Sequence, residues 1–377
     1  MKICMLTTVH PPFDTRVFYR EAQSLVNHGH EVTIIAPHTE VINEIIDGVH
    51  IKTIQKPNSK ALHFLTMFKI FKEGFKIKCD VFHCHEPGSL LICFILKVLT
   101  GNKMVYDAHE YYPELIAENV FFPKVVKKPI HAIVNKGELF LCKFCDYIIT
   151  VNESLRKRFA QFGNTVVLYN VPSLDLFPLQ NVEMEQNTIV YAGYVSRERG
   201  LDKLLKSLLD VRKAYPNLFL LVAGYIQDTD EFKIEVKNFI DDNSLNGNVK
   251  ITGWLPYADI VTNIQKSMAG MILFQPIYYN NIIGLPNKLF EYMACGKPVI
   301  ASDFPEIRAI VKEANCGLLI DSSNIDDITK AIIWIMNNPK EAQEMGSRGR
   351  KSVEKKYNWA EMEKLLFNMY DDISIVQ

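Results

Sequence analysis

Two series of alternating strands and helices, separated by one irregular segment, constrain the fold of this chain more than any other feature. In the first series the predicted strands are Ile3–Thr7, Glu31–Ile35, Val49–Thr53, Val81–Cys84, Met104–Asp107 and Tyr147–Val151. Helical spacing of apolar residues fills most of the gaps, over Arg16–Asn27, Leu62–Phe75, Ser89–Leu99 and Lys127–Phe144. Strands that alternate with helices in this way predict a parallel, doubly wound sheet.

The alternation then begins a second time. The predicted strands are Thr188–Ala192, Leu218–Ala223, Val249–Thr252, Gly270–Phe274, Pro298–Ala301 and Gly317–Ile320, with helices such as Leu201–Ala214 and Ile325–Met336 between them. A chain of 377 residues also exceeds the size at which one core keeps growing. We therefore predict an α/β protein with two tandem Rossmann-like domains at 1–170 and 188–357, a linker at 171–187 and a terminal amphipathic helix within 358–377.

Composition narrows the class of protein without deciding its chemistry. A 48% share of hydrophobic residues with 23% charged residues is ordinary globular usage. The net charge of −1 argues against a nucleic-acid-binding protein, although the part through Pro172 carries +4 and the remainder −5. Eight cysteines without a signal-peptide pattern predict reduced thiols in the cytoplasm. No apolar run reaches the about 18 to 20 residues that span a bilayer, so an integral membrane protein is not expected.

The segment Leu285–Ser302, LPNKLFEYMACGKPVIAS, combines a helix start, an acidic residue and a strand. Pro286 suits a first helical turn, and Asn287 is a good capping residue. The helix start offers unpaired N–H groups and a positive dipole end, which together form an anion site. Glu291 lies one turn further on, where it can accept hydrogen bonds from a ribose diol while Lys288 neutralises a diphosphate. An ordinary amphipathic helix with solvated charges is the alternative interpretation of these residues.

This segment resembles the signature region of glycosyltransferase family 4, in the branch that reads Pro-Asn-Lys-Leu-Phe-Glu-Tyr-Met. Glu291 matches the second glutamate of the family motif, which holds the nucleotide ribose, whereas Ile283 occupies the position of the first, which contacts the transferred sugar. The resemblance implies a GT-B fold, with a ligand cleft between the two domains and a last helix that crosses back onto the first. It also implies that Leu285, Pro286 and Asn287 belong to the donor site.

Other loops of the second half extend this resemblance. In YAGYVSRERGLD, Gly193 and Arg199 occupy positions that the family uses for a donor diphosphate, although Tyr194 stands where a second arginine is common. Gly224 and the turn ITGWLP resemble the loops that flank the nucleobase. Arg199, Lys288 and a helix N-terminus suffice to stabilise a departing diphosphate, so we expect no catalytic metal and no cofactor. Asp228-Thr229-Asp230 is interpreted as a helix cap rather than a metal motif.

In the first half, polar residues follow three predicted strands. The stiff loop HPPFDTR lacks the glycines of a dinucleotide fold and resembles the family loop that faces the reaction centre. The Tyr-Asp-x-His-Glu run resembles the family segment whose histidine lies near the donor sugar, so His109 is the predicted sugar contact, with Glu110 beside it. The acceptor-side candidates are Asp14, Arg16, His85, Glu86 and Glu110. A zinc site from His83, His85 and His109 is conceivable, but its spacing is not a recognised ligand set.

The resemblance implies transfer of a sugar from a nucleoside-diphosphate sugar to a glycan or lipid-linked acceptor, with retention, in cell-surface polysaccharide or glycoconjugate synthesis. Catalysis is assigned to His109, Arg199 and Lys288. A UDP-sugar 2-epimerase of the same fold and a non-catalytic interaction protein remain alternatives. Residues 60–78 and 121–143 mix apolar side chains with lysines and predict either peripheral contact with an anionic membrane or ordinary interior-facing helices. The expected location is the cytoplasm, with peripheral attachment to the inner face of the membrane as one option.

Overall fold

The structure, a computed structural model, describes residues 1–57, 62–118, 123–179, 182, 184–185, 187–226 and 229–375. Contacts between Cα atoms divide the chain into two compact units: unit 1 consists of Met1–Asn170 with Met362–Gln377, and unit 2 consists of Val171–Glu361. Each unit is built around its own sheet. The predicted class, two Rossmann-like α/β domains, is confirmed.

Unit 1 contains an eight-stranded sheet. Its strands are β1 (Lys2–Leu6), β2 (Glu31–His38), β3 (Asn43–Ile46), β4 (Val49–Gln55), β5 (Val81–Cys84), β6 (Lys103–Ala108), β7 (Tyr147–Thr150) and β8 (Asn164–Val167). They are ordered β3-β4-β2-β1-β5-β6-β7-β8, and every neighbouring pair is parallel except β3 with β4. The sequence analysis missed β3 and β8, which are short edge strands without a continuous apolar run.

The helices of unit 1 include a π-helical segment, Val17–Ala22, that continues into α1 (Gln23–Asn27). The others are α2 (His63–Lys76), α3 (Pro87–Thr100), α4 (Tyr112–Ala117), α5 (Lys124–Cys142) and α6 (Glu153–Phe159). Glu86 and Ser89 form a capping box at the start of α3, and Pro87 fits the first helical position because it needs no N–H partner. The side chains after β5 are thereby held in place.

Unit 2 contains a six-stranded parallel sheet in the order β11-β10-β9-β12-β13-β14. The strands are β9 (Thr188–Ala192), β10 (Phe219–Ala223), β11 (Val249–Ile251), β12 (Ala269–Ile272), β13 (Val299–Ser302) and β14 (Gly317–Ile320). The side chains of β9, β12 and β13 are buried throughout, as expected for strands covered on both faces. Their core continues into helices on either side.

The helices of unit 2 follow its strands. They are α7 (Leu201–Ala214), α8 (Asp230–Asp242), α9 (Tyr257–Lys266), α10 (Tyr279–Ile283), α11 (Asn287–Ala294), α12 (Pro305–Ala314), α13 (Ile325–Asn337) and α14 (Pro339–Lys355). The side chain of Thr229 caps α8 by accepting a hydrogen bond from the Phe232 N–H at 3.2 Å, while Asp228 lies outside the described residues. The predicted capping role of Asn287 is wrong, because Pro286 occupies the cap position of α11 and Asn287 is already helical.

The last helix, α15 (Trp359–Ile375), leads from unit 2 into unit 1. Its buried residues include Met362, Leu366, Met369 and Tyr370, whereas Leu365 is exposed. Tyr370 reaches the core of unit 1, where its hydroxyl lies 2.9 Å from His83 Nδ1. Among the described residues, no helix combines the length and apolar character needed to cross a bilayer.

Candidate functional site

The candidate residues of unit 1 gather where three neighbouring strands end. β1, β5 and β6 are adjacent in the sheet and parallel, so the chain leaves all three at the same edge. The loop after β1 contributes Asp14 and Arg16, the segment after β5 contributes His85 and Glu86, and β6 contributes Asp107 with His109 following it. The sheet thus brings together side chains that are far apart in sequence.

Arg16 is buried within this group rather than facing solvent. Its guanidinium donates to both oxygens of Asp107, with Nε to Oδ2 at 2.8 Å and Nη2 to Oδ1 at 3.0 Å. Nη1 donates at 2.9 Å to the Leu168 carbonyl and to Asn170 Oδ1. Arg16 Nε also lies 2.9 Å from Glu21 Oε1. The predicted acceptor-side residue is therefore engaged inside unit 1, in a forked pair typical of arginine and carboxylate.

His109 contacts the same carboxylate. Its Nε2 lies 2.6 Å from Asp107 Oδ2, and its side chain is 11% exposed. The ring of His10 lies 5.1 Å away, centroid to centroid, so two imidazoles border this position. Burial lowers the pKa of His109, although Asp107 partly offsets that shift. At neutral pH His109 is accordingly a neutral imidazole.

Asp14 and Glu86 have local structural contacts. Asp14 Oδ1 accepts from the N–H groups of Arg16 at 2.8 Å and Val17 at 3.1 Å, which fixes the start of the first helical segment. The Glu86 carboxylate, which is buried, accepts from the Thr7 hydroxyl at 3.0 Å and from the Thr8 N–H. Glu110, by contrast, is exposed. His85 is fully buried, with its Nδ1 lying 3.4 Å from Asp107 Oδ2.

A compact group of possible metal ligands lies in the same place. Among the described residues, Glu21, His83, His85 and Asp107 offer ligand-type atoms that all lie within 4.8 Å of one another, and all four are buried. This set contains two of the three histidines considered in the sequence analysis, with Glu21 and Asp107 in place of His109. The guanidinium of Arg16 lies against both carboxylates of the group, with Nε 2.9 Å from Glu21 Oε1 and 2.8 Å from Asp107 Oδ2.

In unit 2 the corresponding feature is a buried lysine. Lys288 is the second residue of α11, and its Nζ lies 3.9 Å from the centroid of the Tyr191 ring. Only 6% of Lys288 is exposed, and Nζ has no hydrogen-bond partner among the described residues. Burial, and then the neighbouring Arg199, lower the pKa of this amine well below its usual range. The amine can regain its charge when an anion lies beside it.

Arg199 lies close to this lysine. Its guanidinium stacks on two aromatic rings, 4.6 Å from the centroid of Tyr194 and 5.1 Å from that of Phe274. The next residue, Gly200, has a φ of +77°, and a Cβ there would lie 2.3 Å from the carbonyl oxygen of Leu273. Only glycine fits this turn, which fixes the direction in which Arg199 leaves the backbone. Tyr194 thus supports Arg199 by stacking.

The remaining predicted donor residues border the same edge of the sheet. Gly193 and Gly224 follow β9 and β10, and a Cβ on Gly224 would lie 2.0 Å from the Gly193 carbonyl oxygen, so these two loops approach without side chains between them. Leu285 and Pro286 are half-buried before α11, and Asn287 is exposed at its first position. Glu291 is half-buried, and its Oε1 accepts from the Tyr257 hydroxyl at 3.0 Å. Ile283 is buried at the end of α10.

Three side chains at these sites escaped the sequence analysis. Asp107 appeared there only as part of a motif, and neither Glu21 nor Tyr257 was singled out. Asp107 had a signal, because it is a charged residue inside a strand that is otherwise apolar. The contacts of Glu21 and Tyr257 depend on residues far away in sequence, and no local pattern indicates them.

Two family models together match most of the chain. The model described as Glycosyltransferase Family 4 matches residues 15–174, and the model described as Glycosyl transferases group 1 matches residues 176–352. The boundary between the two matches falls close to the boundary between unit 1 and unit 2. Both candidate sites therefore lie in segments that the family models recognise.

Individual relatives are distant but cover much of the chain. A phosphatidyl-myo-inositol mannosyltransferase of Mycolicibacterium smegmatis is 22% identical over 370 residues, which cover 94% of this chain and 88% of that protein. An uncharacterised glycosyltransferase of Haemophilus influenzae is 24% identical, and its match spans 57% of this chain and 58% of the relative's length. The structure of Anabaena Alr3699/HepE in complex with UDP superposes with a TM-score of 0.75 at 15% identity, covering 99% of this chain and 100% of that one.

The sheet order of each unit, the likeness to this GT-B structure and the two adjoining family matches lead to one conclusion. The chain belongs to the family 4 glycosyltransferases and is a transferase enzyme with the GT-B fold.

Proposed function

We propose that this enzyme transfers a sugar from a nucleoside-diphosphate sugar to a glycan or lipid-linked acceptor, with retention of anomeric configuration, in the synthesis of cell-surface polysaccharide or glycoconjugate. The observation that carries the donor assignment is the buried amine of Lys288, which has no hydrogen-bond partner among the described residues. A buried ammonium without a partner costs several kcal/mol unless an anion compensates it. Because Arg199 lies near Lys288, we infer that this anion carries more than one negative charge.

A diphosphate can bind both Lys288 and Arg199 and can also accept hydrogen bonds from the first N–H groups of α11. No side chain caps α11, so its first N–H groups are available to phosphate oxygens. Arg199 supplies a fork that stays charged at any physiological pH. These groups stabilise the negative charge that develops on the leaving diphosphate, which makes Arg199 and Lys288 catalytic residues that need no metal ion. We propose accordingly that neither a metal nor a cofactor is required.

The remaining contacts to the sugar-nucleotide donor involve the surrounding loops. Glu291 accepts hydrogen bonds from the ribose diol. Gly193 and Gly224 have no side chains, so the nucleotide can lie close to the backbone there. The Anabaena protein of the same fold was solved in complex with UDP, which supports a nucleotide ligand. His109 contacts the transferred sugar from unit 1, and the acceptor binds near Asp14, His85, Glu86 and Glu110. Ile283 makes the sugar pocket differ from that of the two-glutamate family members.

The acceptor side of the proposal rests on an exposed apolar surface of unit 1. We call it the α2–α3–α5 surface, since α3 packs against both α2 and α5. Its exposed apolar side chains are Phe64, Leu65, Phe68 and Phe75 on α2, Leu91, Ile95, Val98 and Leu99 on α3, and Val125, Ile133 and Phe140 on α5. Lysines outnumber glutamates on α2 and α5. Apolar side chains among lysines fit an anionic lipid surface.

This surface favours the membrane alternative of the sequence analysis and adds α3 to it. The stretches predicted there begin with Lys60 and Ala61, and with Phe121 and Phe122, which lie outside the described residues. The Mycolicibacterium relative is named for a lipid acceptor, phosphatidyl-myo-inositol. We propose a cytoplasmic enzyme that attaches peripherally to the inner face of the membrane and receives a lipid-linked acceptor there.

The donor assignment is tested by release of free nucleotide from a panel of UDP- and GDP-sugars, with and without EDTA. We expect release from at least one donor, no effect of EDTA, and a loss of about 100-fold or more in Arg199→Ala and Glu291→Ala. Lys213→Met, which removes an exposed lysine paired with Asp210, is the matched control. A sugar nucleotide that returns with an inverted C2 centre indicates an epimerase, and unchanged turnover in both variants refutes the donor site.

The membrane assignment is tested separately by flotation with anionic and neutral vesicles. We expect the wild-type protein to float with anionic vesicles and to do so less at high salt, because surface charges are screened. Replacing Phe64 and Phe68 by serine should abolish flotation while leaving hydrolysis of a soluble donor intact. Failure of the wild-type protein to float with anionic vesicles overturns the proposed contact.

A further inference from the structure

Arg16 and Asp107 form a buried ion pair at the candidate site of unit 1. Arg16 is 4% exposed and Asp107 is 0% exposed. All three nitrogens of the Arg16 guanidinium have acceptors within 3.0 Å: both Asp107 oxygens, the Leu168 carbonyl and Asn170 Oδ1. These contacts engage four of the five N–H groups of the guanidinium, and the side chain is buried, so its charge is already committed within unit 1. Its effect on catalysis must act through Asp107.

Asp107 Oδ2 joins the arginine to a histidine. It accepts from Arg16 Nε at 2.8 Å and lies 2.6 Å from Nε2 of His109. Burial by itself would raise the pKa of Asp107, but Arg16 and His109 hold it well below its usual range, so the group is a carboxylate. An ionised carboxylate can only accept hydrogen bonds, so Nε2 of His109 must carry a proton.

The groups around His109 determine which form of the ring is present. His85 and His10 flank it, with ring centroids 5.5 Å and 5.1 Å away, and burial keeps the ring neutral by lowering its pKa. A neutral ring with hydrogen on Nε2 has its lone pair on Nδ1. Other titratable groups lie at this site. They include Asp14, which is close to His10, Glu86, which accepts from Thr7, and Glu21 and Tyr370, which both lie close to His83.

We propose that Arg16 and Asp107 are positioning residues that hold His109 in the Nε2–H tautomer, with Nδ1 presented to a sugar hydroxyl. The tautomer itself follows from the contacts within unit 1. The sugar contact rests on the proposed function. Arg16 neutralises the buried carboxylate, the carboxylate fixes the orientation of the ring, and the ring offers one defined hydrogen-bond acceptor.

The cluster of Glu21, His83, His85 and Asp107 then needs no metal ion to balance its charge. Arg16 Nε lies between Glu21 Oε1 and Asp107 Oδ2, at 2.9 and 2.8 Å, and supplies the positive charge that the carboxylates require. Burial, and then repulsion by Asp107, raise the pKa of Glu21 well above its usual range, so that carboxyl keeps its proton. One arginine, one carboxylate and one neutral acid leave this part of the network close to electroneutral.

The tautomer can be measured in the intact protein without any substrate. Nitrogen-15 labelling of histidine and two-bond proton–nitrogen correlation spectra distinguish the Nε2–H form, the Nδ1–H form and the doubly protonated form. The signal that disappears in His109→Gln identifies His109. We expect the Nε2–H pattern at neutral pH, with less than one equivalent of zinc or other transition metal in the purified protein. An Nδ1–H pattern, or stoichiometric metal bound to this group, overturns the inference.

Variants then connect the tautomer with turnover. Arg16→Met should lower kcat about tenfold or more and change the pH profile of kcat, because Asp107 loses the cation that keeps it ionised. Arg16→Met/Asp107→Leu removes both charges and the hydrogen-bond acceptor of His109 Nε2, so it should recover stability relative to Arg16→Met while kcat stays low and the Nε2–H pattern is lost. Arg156→Met, which removes a half-exposed arginine paired with Glu153 in unit 1, is the control for loss of an arginine.

The outcomes separate this inference from the proposed function. If the wild-type enzyme releases nucleotide and the double variant keeps the wild-type kcat, the positioning role is wrong and the transferase assignment stands. If the Nε2–H pattern is present but no sugar nucleotide is turned over, the donor proposal is wrong and the tautomer assignment stands.

Discussion

Each unit buries a cation, but the hydrogen-bond acceptors around the two cations differ. In unit 1, Arg16 is surrounded by acceptors that belong to the protein, and its charge is balanced before any ligand arrives. In unit 2, Lys288 is equally buried, yet the described residues provide its amine with an aromatic ring and no hydrogen-bond acceptor. The first arrangement gives a stable, fixed site, whereas the second stores an unfavourable energy that an anionic ligand relieves. The same chemical feature thus indicates a positioning role in one unit and a binding role in the other.

The comparison is tested most strongly by replacing each cation with methionine, which has a similar length and no charge. Arg16→Met leaves Asp107 as a buried carboxylate without its partner, and breaking such a pair costs about 3 to 5 kcal/mol. We expect the free energy of unfolding to fall by this amount in denaturant titrations. The control Arg156→Met should change it by less than about 1 kcal/mol, because its ion pair is half-exposed. A loss for Arg16→Met as small as that of the control would mean that the pair contributes little.

The Lys288→Met variant should show the opposite change in stability together with a loss of activity. Removing a buried amine without a partner should raise the free energy of unfolding by about 1 to 3 kcal/mol. Turnover of the sugar nucleotide should fall about 100-fold, since one stabilising group of the leaving diphosphate is gone. Thermal unfolding and nucleotide release measure the two effects on the same sample. If Lys288→Met is less stable than the wild-type protein, the amine has a compensating partner and the contrast between the units fails.

The pH dependence of the lysine sharpens this test. The pKa of Lys288 is lowered in the folded state, so the unfolded chain binds more protons below the unfolded pKa of about 10.4. Wild-type stability relative to Lys288→Met should therefore rise as the pH rises toward that value, because the penalty of burying the amine then disappears. A bound nucleoside diphosphate should remove this dependence by keeping the amine charged.

The sequence allowed the prediction of those features that depend on local patterns. The two series of strands and the helix Leu201–Ala214 match the structure. In that helix the helical spacing of apolar residues and the preceding glycine, Gly200, indicate the same start. The edge strands β3 and β8 were missed because short, partly exposed strands lack an apolar run. The predicted cap of α11 was Asn287, one residue after the observed cap, Pro286. The local sequence is compatible with either residue as the cap.

For the candidate sites, the residue types were predictable but their partners were not. Arg16 and Lys288 both appeared in the sequence analysis as ligand-binding cations. Arg16 is 91 residues from Asp107 and 154 from Asn170, so only the folded sheet shows that its charge is already balanced. Lys288 keeps its predicted binding role as a proposal, since the fold brings a second cation toward it and no carboxylate within hydrogen-bond distance of its amine among the described residues.

Glu21 offers the smallest and most specific test of the balanced network in unit 1. Its pKa is raised by burial and by Asp107, so the folded protein keeps a proton that the unfolded chain releases above about pH 4.3. Wild-type stability from this group is therefore lost as the pH rises, and Glu21→Gln, which cannot ionise, should become more stable relative to the wild-type protein as the pH rises above about 4.3. Denaturant unfolding at several pH values measures the difference in stability between the two proteins.

Glu73→Gln is the control with the opposite sign. Hydrogen bonds from Lys52 and Lys76 lower the pKa of Glu73, so its contribution is present above the unfolded pKa and is lost as the pH falls. Glu73→Gln should therefore be less stable than the wild-type protein by an amount that shrinks as the pH falls below about 4.3, whereas the gain of Glu21→Gln grows as the pH rises above that value. If both variants change in the same direction with pH, Glu21 is ionised in the folded state. Arg16 would then balance two carboxylates rather than one, and unit 1 would carry an uncompensated charge as unit 2 does.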